Sequence, residues 1–425
     1  MARSPARRKT PAAYNPGPMA TPVFPSACDV LVVGAGPAGS ACAQKLAEAG
    51  HHVVLVDQHV FPRDKVCGDG LIPDAHAALR RLGVYDEVMA QARLVQHVRC
   101  VAPRGGVVDV PGTLAVLPRR QLDDILVRSA QRAGAVLLAP VRFEAPLLER
   151  QGPSEQVVGA RLKAGDVVHE LRARWVVLAT GAVPAAAIAA GVNERRTPSG
   201  VALRGYVKND AMVGRITQLQ LVWHPRLAGG YGWIFPAPDG VFNIGAGLTG
   251  SHGRNGRNAM KDVNLRQMFD AFCEVHAPAR ELMAGGTLVG EIKGAPLRCS
   301  LLGAKWSRPG MLVTGEAAGS TYAFTGEGIG KAMETGMLAA AAVHAGGDDA
   351  AVRTRYATAM QALKPKFDLY ERASHVNHRP WLADLVLWRA RKSPRILRRM
   401  SGVLEETQNP GRLFTWRGIT KLLFE

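Results

Sequence analysis

The 425-residue chain is longer than one hydrophobic core usually needs, and 47% of it is apolar, so a large domain, a smaller one and a C-terminal extension are expected. A formal net charge of +18 calls for an anionic partner, and with no zinc-finger, helix-turn-helix or RNA-binding signature nucleic acid is not expected. Forty-six Gly and 27 Pro without a repeat period exclude a low-complexity chain, while six scattered cysteines with no CxxC pair and histidines without ligand spacing exclude a disulfide framework and a metal site and fit a reducing cytoplasm.

Residues 1–27 carry Arg3, Arg7, Arg8 and Lys9 followed by Pro-rich sequence, and read as a disordered basic arm. No apolar run follows Arg7-Arg8, which argues against twin-arginine export. No stretch of about 18 apolar residues suggests a membrane span.

The first ordered element is the apolar run Asp29–Val33, which ends in Gly34-Ala-Gly36-Pro-Ala-Gly39. A helix is predicted over Ser40–Ala49, and a second strand over His52–Asp57. This βαβ unit, closed by an acid, is the setting a dinucleotide fingerprint needs. Gly34 permits the tight turn, Gly36 lets backbone approach a pyrophosphate, and Gly39 allows close packing. Asp57 is placed to accept from a ribose and to disfavour a 2'-phosphate, so FAD or NAD fits better than NADP.

Pro73–Ala92 reads as helix, Leu94–Val116 as antiparallel strands around Arg104-Gly-Gly106, and Gln121–Ala133 as helix. Trp175–Gly181 is a buried parallel strand running into a glycine turn. Residues 199–295 carry alternating strands and a polar loop at Ser251–Arg257. Met311–Gly315 resumes the parallel pattern and Gly326–Ala342 forms a small-residue helix. The block Gly315-Glu316-Ala-Ala-Gly319 and Thr325-Gly326-Glu327-Gly328-Ile329 repeats the logic of an acid at a strand end and a helix start, suited to the second half of a cofactor.

With these pieces in place, the chain resembles the geranylgeranyl reductase family, flavoproteins with the p-hydroxybenzoate hydroxylase-like fold, over roughly residues 29–345. The matching pieces are the fingerprint, Lys65-Val-Cys67-Gly68-Asp-Gly70, the Tyr231-x-Trp233-x-Phe235-Pro236 box and the late acid-glycine block, whose usual Asp is Glu316 here. The resemblance implies an α/β (α+β) architecture: a discontinuous Rossmann-like FAD-binding domain (28–198 and 296–346, with part of the substrate sheet near 94–116), an antiparallel-sheet substrate domain (199–295) and a basic helical region (347–425).

It further implies FAD as cofactor. Gly34, Gly36, Ala38, Gly39 and Asp57 would serve the adenosine and pyrophosphate side. Cys67, Gly68 and Gly70 would lie along the cofactor, Arg119 would meet its phosphates, and Glu316, Gly328 and Ile329 would close over the ribityl chain and flavin. The implied activity is saturation of C=C bonds in a polyprenyl group, with NADPH or ferredoxin as compatible donors.

Taken without the resemblance, Tyr231, Trp233 and Phe235 alternate on one strand face and suit a core. With it, they and Pro236 become a substrate wall. Cys67 reads either as packing or as a positioning residue beside the flavin; no base near it in sequence makes it a nucleophile. The C-terminal basic residues interleaved with Trp381, Trp388 and Trp416 suit a solvated helix face or a peripheral contact with anionic lipid on the inner membrane face. Two rivals share these features: a flavin monooxygenase or halogenase on the same fold, and a non-catalytic membrane-associated flavoprotein.

Overall fold

The computed structural model of the chain describes residues 24–151, 154–227, 229–249 and 263–405. The basic arm up to residue 23, the loop 251–257 and Trp416 lie outside the described residues.

The chain opens with β1 (Ala27–Val33), α1 (Pro37–Glu48), β2 (Val53–Val56), β3 (Gly70–Leu71), α2 (Pro73–Arg81) and α3 (Tyr85–Met89). The expected helix 73–92 is two helices because Gly83, at φ +70°, turns the backbone between them. There follow β4 (Arg93–Val101), β5 (Val107–Val116), α4 (Arg119–Arg132), β6 (Val136–Leu138), β7 (Arg142–Gln151), β8 (Ser154–Ala164), β9 (Val167–Leu178) and α5 (Ala185–Ala189). The middle contributes β10 (Gly200–Lys208), β11 (Leu219–Val222), β12 (Gly230–Pro236), β13 (Val241–Thr249), α6 (Leu265–Val275), α7 (Ala277–Gly285), β14 (Thr287–Leu288) and β15 (Lys293–Leu297). The chain closes with β16 (Ser307–Arg308), β17 (Met311–Val313), α8 (Ile329–His344), α9 (Asp349–Ala373), α10 (His375–His378), α11 (Pro380–Lys392) and α12 (Pro394–Leu404).

Two sheets result. The first runs β16-β17-β9-β1-β2-β6, with β8 on β9 and β7 on β8. From β17 to β6 its strands are parallel, with Val32 beside both Leu55 and Val177. All four residues of β2 are buried, as expected of a strand covered on both faces. The second sheet runs β14-β10-β13-β12-β11-β4-β5-β3, with β15 also on β10, and is antiparallel except where β11 meets β4.

One face of the second sheet packs Ile234, Phe242 and Ile244 against Met268, Phe269 and Phe272 of α6 and Leu282 of α7. The other carries Val98, Val110, Leu219 and Trp223 toward Val386 and Leu387 of α11 and Ile396 of α12. Two-residue β3 belongs to the loop leaving the nucleotide-binding unit yet pairs with β5 of this sheet. That pairing brings the Cys67–Gly70 segment to the junction between the layers.

Candidate active site

A cavity of about 930 Å³ runs between the two sheets. It begins at the glycine turn. Gly34 has φ +100°, and a Cβ there would stand 2.5 Å from the Ala179 carbonyl oxygen; one on Gly39 would stand 1.8 Å from that of Gly34. A Cβ on Gly36 would meet nothing nearer than the guanidinium tips of Arg63 and Arg119, at 3.6 and 3.9 Å. Gly34 and Gly39 are therefore required by packing, and Gly36 is small toward the cavity. Gly36 also caps α1, whose first turn has no acidic residue and no side-chain cap, so its N–H groups and positive dipole end are left for an anion.

Asp57, at the end of β2, accepts the Ala35 N–H on Oδ2 and the His59 N–H on Oδ1, both at 2.9 Å. It borders the cavity and ties the glycine turn to the second strand. Asp123 of α4 is fully buried and binds two cations: Arg119 by a two-point contact at 2.7 and 2.8 Å, and Arg63 Nη1 at 3.1 Å. Arg63, which sequence reasoning missed, thus stands with Arg119 over the helix mouth. Its neighbours Phe61 and Pro62 gave no such signal.

At the junction, burial holds the Cys67 thiol above its usual range, so a thiolate nucleophile is disfavoured. Gly68 and Gly70 make room for Phe235: a Cβ on either would lie 3.2 or 3.4 Å from its ring. Between them Asp69, at φ +64° and fully buried, accepts from the Tyr206 hydroxyl, from Asn243 Nδ2 at 2.7 Å and from the Arg119 N–H at 3.2 Å. Burial pushes its carboxyl up to about 6, against these three donors and the Arg204 charge. Arg204, 1% exposed, stacks on Tyr206 and donates to Asp64 at 2.9 Å. Asp69, Tyr206, Arg204 and Asn243 were all missed as a group, because they meet only when β3 joins the second sheet.

Glu316 borders the cavity beyond β17, its Oε1 accepting from Thr321 Oγ1 at 3.2 Å and the Arg298 N–H at 3.4 Å. Gly328 caps α8 and Ile329 begins it, both lining the cavity, again with no acid in the first turn. Gly315, at φ +65°, packs against Ala38, and a Cβ there would sit 2.6 Å from the Ala38 Cβ. Ala38 is small because the late block crosses it.

Tyr231, Trp233 and Phe235 all face the cavity, with ring centroids 6.3 and 6.5 Å apart along the strand. Gly247 lies beside Tyr231 and Gly245 beside Trp233 on β13, where a Cβ on Gly245 would come within 2.2 Å of the indole. Pro236 is the exception. It does not line this cavity: as the strand neighbour of Phe235 it faces the other way, into a separate depression of about 250 Å³.

Past the aromatic rings the cavity becomes apolar, lined by Val98, Val110, Leu219, Leu387, Met400 and Leu404. Helices α11 and α12 thus form one wall. Their basic, Trp-rich sequence gave a reading of their outer side only.

The order of groups fits FAD: a carboxylate at Asp57 for ribose hydroxyls, an uncapped helix with two guanidiniums for a pyrophosphate, a second carboxylate at Glu316 for ribityl hydroxyls, and a second helix start at Gly328 for the flavin edge. Arg63 Nε and Thr180 Oγ1, both beside the cavity, are buried without a hydrogen-bond partner among the described residues.

Residues 27–225 match the FAD binding domain family. The menaquinone reductase of Mycolicibacterium smegmatis is 32% identical, the match covering 75% of this chain and 77% of that one. Digeranylgeranylglycerophospholipid reductase 1 of Methanopyrus kandleri is 30% identical, covering 73% and 79%. Among solved structures, a geranylgeranyl bacteriochlorophyll reductase-like protein of Thermoplasma acidophilum superposes with TM-score 0.67 at 22% identity, over 94% of this chain and 96% of its own. A flavin-dependent brominase gives 0.72 at 18%, over 94% and 100%, so the architecture is shared beyond reductases. Fingerprint, cofactor-shaped cavity and relatives agree, and the chain belongs to the geranylgeranyl reductase family of FAD-dependent oxidoreductases.

Proposed function

We propose that the protein saturates C=C bonds in a polyprenyl chain. The observation that carries this reading is the cavity's change of character: polar and cationic from Asp57 to Glu316, aromatic at Tyr231, Trp233 and Phe235, then apolar to Leu404. Menaquinone and digeranylgeranylglycerophospholipid, named for two relatives, have an isoprenoid chain in common, and flat rings hold such a chain without asking for hydrogen bonds.

Asp57, Gly36, Arg63, Arg119, Glu316 and the Gly328–Ile329 helix start hold FAD in this reading. FAD, when held there and reduced by an external carrier such as NADPH or a ferredoxin, would supply hydride to one alkene carbon, while a proton from a protein group or an ordered water completes the other. The chain's own part is to orient the alkene with the three rings and to exclude water with the α11–α12 wall. A substrate of this kind resides in a bilayer, so the protein works at the cytoplasmic face of a membrane. No helix among the described residues is long and apolar enough to cross one.

The test is anaerobic incubation of the reduced holoprotein with a geranylgeranyl lipid, with mass analysis of the chain. Gain of two hydrogens per reduced double bond is expected, and Leu387→Trp should abolish it while flavin content stays unchanged. Turnover only with oxygen, giving a hydroxylated or halogenated product, would overturn the reading in favour of a monooxygenase or halogenase. Bound flavin that no donor reduces would favour a non-catalytic role.

A further inference from the structure

Helices α11 and α12 each have two faces with opposite chemistry. Val386 and Leu387 of α11 and Met400, Val403 and Leu404 of α12 line the apolar chamber. On the other side of α11, Trp381 and Trp388 are 56% and 46% exposed. They are seven residues apart and so share a face of the helix. Lys392 Nζ lies 4.6 Å from the Trp388 ring centre, and the Arg389 guanidinium 5.5 Å.

Charge follows the same division. Between residues 379 and 404 the basic side chains are Arg379, Arg389, Arg391, Lys392, Arg395, Arg398 and Arg399, and the one acid is Asp384. Asp384 is turned inward to the Arg104 N–H at 2.9 Å. Arg391, Lys392 and Arg398 are exposed. Two half-buried indoles with cations beside them match the boundary of a bilayer, where the ring body enters the acyl region and the ring edge stays at the headgroups. Lysine and arginine stems cover apolar surface while their heads meet lipid phosphate.

We propose that the outer faces of α11 and α12 dock the protein on an anionic lipid bilayer through Trp381, Trp388 and their flanking cations, so that the wall of the substrate chamber is also the membrane contact. This rests on the polyprenyl reading for its purpose, though not for its test. Each cation near an anionic surface raises the partition coefficient about fivefold, an effect that falls with salt, and the indoles add a part that salt does not screen.

The experiment is co-sedimentation of the full-length holoprotein with vesicles of phosphatidylcholine alone or mixed with phosphatidylglycerol. Binding to the mixed vesicles is expected, weaker in high salt, with little on phosphatidylcholine. Arg391→Glu/Lys392→Glu/Arg398→Glu should lower the partition coefficient at least about tenfold, and Trp381→Ala/Trp388→Ala should leave a binding that high salt abolishes. Both variants should keep wild-type flavin content and wild-type turnover of detergent-dispersed substrate, while turnover of vesicle-embedded substrate falls for the charge variant at any salt and for the Trp variant in high salt. Equal sedimentation of wild type and both variants would overturn the proposal. So would a wild-type dimer that the Trp variant converts to monomer, since a second copy would then cover this face. Vesicle binding that follows these residues in a protein inactive on every prenyl lipid would leave the docking standing and overturn the assigned reaction.

Discussion

Asn243 Nδ2 donates to Asp69 Oδ2 over 2.7 Å, while Oδ1 of the same amide accepts the Trp233 indole N–H over 2.9 Å. One side chain on β13 thereby fastens the cofactor-side loop to the aromatic wall. A third bond, from Nδ2 to the Cys67 carbonyl at 2.8 Å, completes the clasp. Asn243→Leu leaves a buried indole N–H and a buried carboxylate short of partners. The expected loss is about 2–4 kcal/mol, read from urea unfolding of the holoprotein, with a fall in retained flavin.

Asp69 gives the protein a pH dependence of its own. Its carboxyl sits at about 6 in the fold against an ordinary 3.8, so between those values the folded chain keeps a proton that the unfolded chain has released. The stabilisation is complete below the ordinary value and is lost as pH rises through about 6, roughly 3 kcal/mol in all. Asp69→Asn is neutral throughout and tolerates the positive φ. Its unfolding midpoint should therefore gain on the wild type between about pH 4.5 and pH 7; an unchanged difference would refute the buried-acid account.

The glycines of the fingerprint should separate by experiment. Gly39→Ala puts a methyl 1.8 Å from a carbonyl oxygen and should prevent folding of the α1 region. Gly36→Ala meets no atom closer than 3.6 Å, so the apoprotein should melt like the wild type while FAD affinity falls at least about tenfold. Flavin absorbance per protein and a melting curve measure both.

Arg119→Met removes the two-point partner of Asp123 and leaves it with Arg63 alone at 3.1 Å. Loss of one partner of a buried pair costs about 3–5 kcal/mol, and the remaining cation places this case near the lower figure. Chemical denaturation checks it. Asp123→Leu alongside Arg119→Met should recover part of the loss.

The glycine turn, Asp57, Arg119, Glu316 and the aromatic box were legible because each is local: a strand, a turn and a helix start within a few residues, or alternation along one strand. Asp69 stood inside a recognised segment, yet its role depends on Tyr206 and Asn243, more than 130 residues away in sequence. Sequence spacing carries no trace of a sheet that recruits a two-residue strand from another layer. Pro236 was assigned to the substrate wall as part of the box that carries the family resemblance, and the two-residue period of the strand turned it away. The inner faces of α11 and α12 were hidden for a related reason: their Leu, Val and Met spacing is that of any amphipathic helix, whether it covers a core or a cavity.

The strands that end each sheet path are short: β16 and β3 have two residues, β6 three, and β14 and β15 share the outer side of β10. β15 itself carries Lys293 and Pro296. An extended segment from another molecule therefore meets only short rows of free N–H and C=O groups at these ends, and ten-residue β7, which pairs with β8 alone among the named strands, is the longer border where strand-by-strand association, the common route from sheet proteins to fibrils, would find its template.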